Sequence, residues 1–280
     1  MTLMQHLYEL RTRLFKAAIA IVAIAILAFI FFPQIFNVLT QPYCRLPPNV
    51  RSSDITGGCQ LIAYNVFDQF NVRIKVSLIV AVVISSPIWL FQLWKFVTPA
   101  LHRHERRYAM TFTALGSLLF FAGAALAYVV LGTGLELLLT VGGGQIKTLL
   151  TVPSYLGYVV AMVVVFGLAF EFPLIMVMLN LTGVLPYAKM IKWWRGIIFA
   201  IFLFTAVATP SPSPWEMSIL AAVMCLLFGA VLIFARSHDK RKEKRLAVAG
   251  LAGLSDDETS PLPDEASEHN DEDRNYTDIS

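Results

Sequence analysis

Three acidic residues occupy positions where a carboxylate is unusual and could bind a ligand. Glu171 lies near the middle of the apolar stretch 155–181, and Glu9 and Glu105 are lone acids among basic residues. A carboxylate at bilayer depth is costly, so it normally faces a protein interior or a wet cavity. These acids therefore indicate that the chain is more than a membrane anchor.

Two interpretations fit Glu9 and Glu105. Each acid could pair locally, Glu9 with Arg13 one helical turn away and Glu105 with Arg103 or an arginine that follows it. Such pairs would stabilise the chain only slightly. Alternatively, the two acids could recognise a cationic partner, ideally guanidinium groups, because these bind carboxylate through a bidentate fork. The residue types alone leave both interpretations open.

Signatures of soluble enzymes are absent from the sequence. It contains no P-loop, no His-Glu-x-x-His and no Gly-x-Ser-x-Gly motif. The five histidines all fall outside the long apolar stretches, at His6, His102, His104, His238 and His269. The sequence therefore predicts a protein that is not an enzyme and that has no metal, cofactor or nucleic-acid ligand.

Membrane helices must position the three acids. The chain is 57% hydrophobic with a mean hydropathy of +0.66, and its apolar runs are too long for a soluble core. The fifth run offers only 13 residues, too few to cross a hydrocarbon core of ~30 Å unless flanking residues join it. We therefore expect an all-α membrane protein of six spans, with the fifth and sixth short. The spans lie near 15–32, 76–97, 109–131, 155–182, 196–208 and 218–235.

Prolines should shape several of these spans. Pro87 and Pro173 each remove a backbone hydrogen bond and favour a kink in the second and fourth spans. Kinked spans can curve around a hollow. The Pro-rich turn 209–214 should force the last two spans into a hairpin.

The distribution of positive charge predicts the orientation of the chain. Sixteen of the 22 Lys and Arg residues fall in segments that share one side of the membrane, which places both termini in the cytoplasm. The segment 1–14 carries a leucine stripe and should form an amphipathic helix at the interface, before the first span turns inward. The membrane domain should cover 15–235, and 236–280 should be a basic and then acidic, disordered cytoplasmic tail.

The longest connection, residues 33–71, should form an extracytoplasmic cap. It contains several prolines, Pro42 among them, and these argue against one continuous helix. Cys44 and Cys59 also lie in it, separated by 14 residues, on the side of the membrane that permits disulfides. They either form a bridge or remain two unpaired thiols.

Four sequence segments together resemble the TatC family, the polytopic core of the twin-arginine protein translocase. They occur in the expected order and spacing within residues 3–235, and they are 6–14 (HLYELRTRL), 96–106 (FVTPALHRHER), 166–173 (FGLAFEFP) and 208–210 (ATP). The resemblance implies a cup-shaped bundle of six spans that acts as the signal-peptide receptor of a translocase for folded proteins.

The resemblance also implies a role for the two interfacial acids. In the family, a cytoplasmic tip formed by the N-terminal segment and the second loop reads the paired arginines of a signal peptide. Phe96 would either cover an arginine stem beside that site or, like the nearby Trp94, only anchor the interface. The implied signal-peptide-binding residues of this chain are Glu9, Leu10, Arg11, Phe96 and Glu105.

Glu171 matches the intramembrane acid of the family, which faces the concave side of the bundle. Its charge would hold water and thin the local membrane, or it would bond a polar group of a partner helix. The alternative is a protonated carboxyl bonded to a neighbouring Ser or Thr, with a purely structural role. The residues with an implied role in shaping the fold or contacting partners are Pro42, Phe67, Lys75, Pro87, Thr209 and Pro210.

The chain departs from the family pattern at two positions where acids are usual. Ser213 stands shortly after the Thr-Pro pair of the last turn, and Gly229 follows the aromatic near the end of the sixth span. Glu216 is the candidate to replace the first of these missing acids.

By this resemblance, the chain should contact membrane lipids in a prokaryotic plasma membrane and form homo-oligomers within a receptor complex. Single-span partners of the TatA/TatB type should dock along the short fifth and sixth spans, and transport should draw on the proton-motive force. The rival interpretation is a proton-coupled secondary transporter of a small solute, with Glu171 as its proton site. That rival requires several polar groups at mid-depth, whereas the spans offer one ionisable residue there.

Overall fold

The structure is a computed structural model of the chain, and it describes residues 3–46, 61–97, 105–140, 150–210 and 213–248. Ten helices follow one another in these residues: α1 (Leu3–Ile30), α2 (Phe32–Cys44), α3 (Asp68–Ile84), α4 (Ser86–Val97), α5 (Glu105–Thr140), α6 (Val152–Ala169), α7 (Phe172–Leu181), α8 (Tyr187–Lys192), α9 (Trp194–Ala208) and α10 (Pro214–Val248). Within the same ranges, extended pairing is limited to an isolated parallel bridge between Ile62 and Thr151. The predicted all-α fold class is therefore confirmed.

The apolar helices correspond to the predicted spans. Four continuous segments are long and apolar enough to cross a membrane, namely α1, α5, α6 with α7, and α10. The bent pair α3 and α4 passes the same test, and α9 is a shorter apolar helix of 15 residues. This arrangement is compatible with six spans, of which the fifth is short.

The second span is broken where Pro87 predicted a kink. The axes of α3 and α4 differ by 57°, and Pro87 lies in the first turn of α4, where its missing N–H removes a helical hydrogen bond. The Trp89 indole donates to the Val82 carbonyl at 3.0 Å. A side chain of α4 therefore holds the end of α3 across the break.

The first helix differs from the expectation at its N-terminal end. α1 runs without interruption from Leu3 to Ile30, so the predicted turn between the segment 1–14 and the first span does not occur. No proline or glycine lies in this stretch to stop the helix. Leu10 and Leu14 of the predicted leucine stripe are exposed, which fits a face in contact with lipid.

The described part of the predicted first loop is helical only in α2 and at the start of α3, and residues 61–67 are not helical, so it is not one continuous helix, as its prolines predicted. α2 has 13 residues and encloses Pro42, which leaves the Val38 carbonyl without its helical donor. The Tyr128 hydroxyl of α5 donates to that oxygen at 2.8 Å, and the Tyr155 hydroxyl of α6 donates to the Leu39 oxygen at 2.6 Å. The Tyr128 hydroxyl thus replaces the donor that Pro42 lacks, and the Tyr155 bond further ties α2 to α6.

α5 and α6 pack closely at the centre of the bundle. A Cβ at Gly123 would lie 2.5 Å from the Phe166 carbonyl oxygen, and a Cβ at Gly167 would lie 2.8 Å from the Phe120 ring. Both phenylalanines are completely buried, so only glycine fits at these two positions. This packing fixes the end of α6, where Glu171 follows.

α10 extends past Ala235, the predicted end of the sixth span, and continues to Val248. The Asp239 carboxylate accepts hydrogen bonds from the Tyr187 backbone N–H at 2.7 Å and from Asn180 Nδ2 at 3.2 Å. These bonds tie α10 to the end of α7 and the start of α8. The first part of the predicted tail is therefore helical, and its acidic part, 256–280, lies outside the described residues.

Candidate binding groove and intramembrane acid

A groove of about 720 Å³ opens between the N-terminal part of α1 and the end of α4. Its α1 residues recur at intervals of three and four, so they share one helical face. The described lining holds one carboxylate and three cationic side chains. The lining includes Tyr8, Glu9, Thr12, Arg13 and Lys16 of α1 with Gln92 and Lys95 of α4.

Glu9 and Arg13 form an ion pair inside this groove. Arg13 Nη2 donates to Glu9 Oε1 across one turn of α1. The Arg13 side chain is only 10% exposed, whereas the Glu9 side chain is 30% exposed. Of the two interpretations of Glu9, the structure contains the local pair, and it leaves the carboxylate accessible from the groove.

None of the other predicted residues of this site belongs to the described lining of the groove. Leu10 and Arg11 are exposed on α1, outside the described lining. Phe96 is half-buried and directly follows Lys95 near the end of α4. Glu105 is the first residue of α5, and its side chain lies outside the described residues, so its place beside Glu9 stays a prediction.

Glu171 lies between α6 and α7 and is only 7% exposed. It holds the N-cap position of α7, but its side chain makes no capping bond. Neither carboxylate oxygen has a hydrogen-bond partner among the described residues, so the predicted bond to a Ser or Thr is not present there. The carboxylate instead lies against Gly116 of α5, where a Cβ would be 3.0 Å from Oε2.

A second cavity of about 270 Å³ lies between α3 and α6, at the end of the first predicted loop. Lys75 lines it together with Asp68 and Asn71, one face of α3. Phe67 precedes this face as the N-cap residue of α3 and is 75% exposed. The implied roles of Phe67 and Lys75 remain predictions.

The remaining predicted residues are those of the turn after α9 and the two cysteines of the first loop. Thr209 ends α9, and its hydroxyl donates to the Thr205 carbonyl at 2.8 Å, whereas Pro210 is exposed. Cys44 is not a free thiol. Cys59 lies outside the described residues, so the bridge between the two remains a prediction.

The structure also shows a polar contact that the sequence analysis did not identify. Glu216, in the first turn of α10, is completely buried and accepts a hydrogen bond from the Tyr158 hydroxyl of α6. Gly134 of α5 makes room for it, because a Cβ there would overlap the carboxylate. The sequence offered Glu216 as a replacement acid, but nothing local linked it to Tyr158.

Comparison with known proteins identifies the family. Residues 5–222 match the family model described as "Sec-independent protein translocase protein (TatC)". The chain belongs to the TatC family. A TatC protein of Frankia casuarinae is 46% identical over 94% of this chain and 73% of its own length, and that of Aquifex aeolicus is 34% identical over 89% of this chain and 100% of its own length.

Solved structures of TatC agree with the sequence matches. A crystal structure titled as the twin arginine translocase receptor TatC in DDM has a TM-score of 0.69 and 32% identity, covering 82% of this chain and 99% of that chain. A second TatC crystal structure has a TM-score of 0.65 and 30% identity, covering 82% and 98%. This TatC chain is therefore a multi-pass membrane protein and a component of the Sec-independent protein translocase, and a secondary transporter is not favoured.

Proposed function

We propose that this TatC chain is the receptor for twin-arginine signal peptides, and that the groove between α1 and α4 holds the arginines. The supporting observation is the partly exposed Glu9 carboxylate in a groove large enough for long side chains. By the charge distribution, this end of α1 faces the cytoplasm, where an unexported precursor would meet it.

The chemistry of the proposed recognition requires two acids. An arginine guanidinium is planar and donates two parallel hydrogen bonds to a carboxylate, which a lysine cannot reproduce. Glu9 would take one arginine of the pair and Glu105 the other. Since Arg13, Lys16 and Lys95 line the same groove, a single carboxylate there could not hold two added positive charges.

Glu171 would act in transport, after the signal peptide has bound. Its buried carboxylate, without a partner in the described residues, could bind a polar group of a partner helix or hold water inside the bundle. Single-span partners of the TatA/TatB type would dock along α9 and α10, because α9 packs mainly on α10 and leaves several phenylalanines exposed. Export across the plasma membrane would draw on the proton-motive force, within a homo-oligomeric receptor complex.

Binding of a signal peptide to the purified protein in lipid nanodiscs tests the receptor assignment. Glu9→Ala and Glu105→Ala should each weaken binding of a peptide with paired arginines by about tenfold or more, because each removes a charge-assisted hydrogen bond. The matched control is Glu136→Ala, which removes an exposed acid from the opposite end of α5 and should leave binding unchanged. A photo-crosslinker at position 105 should capture the peptide only when its arginine pair is intact. Wild-type affinity in the double variant, or equal capture of a peptide with paired lysines, would refute the assignment.

A further inference from the structure

The Glu9 carboxylate is already occupied by a residue of the chain itself. Arg13 lies one turn further along α1 and donates Nη2 to Glu9 Oε1. Its side chain is 10% exposed although arginine is usually solvated. Arg13 therefore fills part of the groove in which a ligand guanidinium would have to sit.

The hold of Arg13 on Glu9 is incomplete. The described contact joins one guanidinium nitrogen to one carboxylate oxygen, whereas an unrestrained arginine can bind both oxygens through a fork. Arg13 Nη1 is buried and has no acceptor among the described residues. A buried donor without an acceptor is unfavourable, so the contact occupies the acid without binding it as strongly as a second guanidinium could.

We propose that Arg13 is an internal competitor, which occupies Glu9 in the resting receptor and must be displaced by an arginine of the signal peptide. The inference rests on the proposed function of the groove and adds a regulatory contact to it. The exchange replaces one guanidinium by another of better geometry, so only a ligand that forms the fork gains enough to displace Arg13. Weakly bound cationic peptides are kept out because each must first break the resting pair.

An alternative role for Arg13, that of orienting Glu9 for the ligand, predicts the opposite change in peptide affinity. If Arg13 only orients Glu9 for the ligand, its removal should weaken peptide binding. If Arg13 is a competitor, its removal should strengthen binding. Since both roles place the same two side chains in contact, the direction of the change in affinity distinguishes them.

The test is a measurement of signal-peptide affinity for Arg13→Gln in lipid nanodiscs. We expect about fivefold tighter binding, the size that loss of one partly buried ion pair allows. Lys192→Gln is the control, because it removes a charge of the same sign from an exposed position on α8, outside the described lining of the groove. It should change affinity by less than about twofold, through screened charge alone. An unchanged or weaker affinity for Arg13→Gln, or an equal gain for Lys192→Gln, would overturn the proposal.

A double-mutant cycle separates this proposal from the receptor assignment. In a Glu9→Gln background the gain from Arg13→Gln should vanish, because the acid that Arg13 occupies is gone. A gain that persists there would overturn the competitor role. If Glu9→Gln alone leaves binding unchanged, the receptor assignment fails instead. Arg13→Lys provides a second variant that retains the charge, and it should give a smaller gain of the same sign, whereas a loss of affinity would contradict the proposal.

Discussion

The contact between Glu171 and Gly116 can be tested with a single added methyl group. A Cβ at Gly116 would lie 3.0 Å from Glu171 Oε2, 3.2 Å from Leu174 Cδ2 and 3.3 Å from Glu171 Oε1, whereas ordinary contact begins at 3.4 Å. Gly116→Ala must therefore displace the carboxylate by a few tenths of an ångström. Overpacking of this kind lowers the free energy of unfolding by roughly 1–3 kcal/mol. The higher helix propensity of alanine offsets about 0.5–1 kcal/mol of this loss. We expect a net loss of about 1 kcal/mol.

Two further glycines of the same helix provide a graded series. A Cβ at Gly132 meets nothing within 4 Å, so Gly132→Ala should be neutral or stabilising by about 0.5–1 kcal/mol. A Cβ at Gly123 would lie 2.5 Å from a backbone oxygen, which cannot move aside, so Gly123→Ala should be the most destabilising. The unfolding temperatures of the purified variants in detergent should therefore decrease in the order Gly132→Ala, Gly116→Ala and Gly123→Ala.

A transport assay adds the functional measurement. Gly116→Ala should reduce precursor transport into inverted membrane vesicles while signal-peptide binding stays within about twofold, because the groove on α1 and α4 is untouched. If the Gly116 and Gly132 variants unfold at the same temperature and transport equally well, the carboxylate does not pack against Gly116 and our account of its position is wrong.

Two other changes should separate the roles of the buried acids. Glu171→Ala should leave peptide binding intact and reduce transport, whereas Glu136→Ala, which removes an exposed acid, should change neither binding nor transport. Unchanged transport in Glu171→Ala would indicate that Glu171 has only a structural role. Tyr158→Phe should lower the free energy of unfolding by about 1–3 kcal/mol, because it removes a hydrogen bond to a buried carboxylate. The exposed Tyr64 gives the control, and equal unfolding temperatures for Tyr158→Phe and Tyr64→Phe would contradict this value.

Local sequence patterns predicted the membrane helices well because span length, hydropathy and proline position act locally. Pro87 is an example, since its missing N–H and its ring disfavour a continuous helix through local chemistry alone. Glu171 was identified for the same reason, as a charge at an apolar depth. These features need no knowledge of the packing around them.

The features that the sequence did not reveal depend on contacts between distant segments. Pro42 normally argues against a helix, but the Tyr128 hydroxyl gives the Val38 carbonyl a donor that no nearby residue indicates. The pairing of Glu9 was left open because a lone acid near several arginines fits either a local pair or a ligand. The Asp239 bonds likewise join three separate elements.

α10 is fastened near both of its ends. Glu216 joins it to α6 at one end and Asp239 joins it to the connection before α8 at the other, about 35 Å apart at the rise of an α-helix. A rod pinned in this way resists sliding along its own axis, because either direction of travel stretches a polar contact. It can still bend sideways between these two points, and α9 packs on it. A partner that pushes on α9 and α10 should therefore bend α10 sideways, and it should not shift α10 along its own axis.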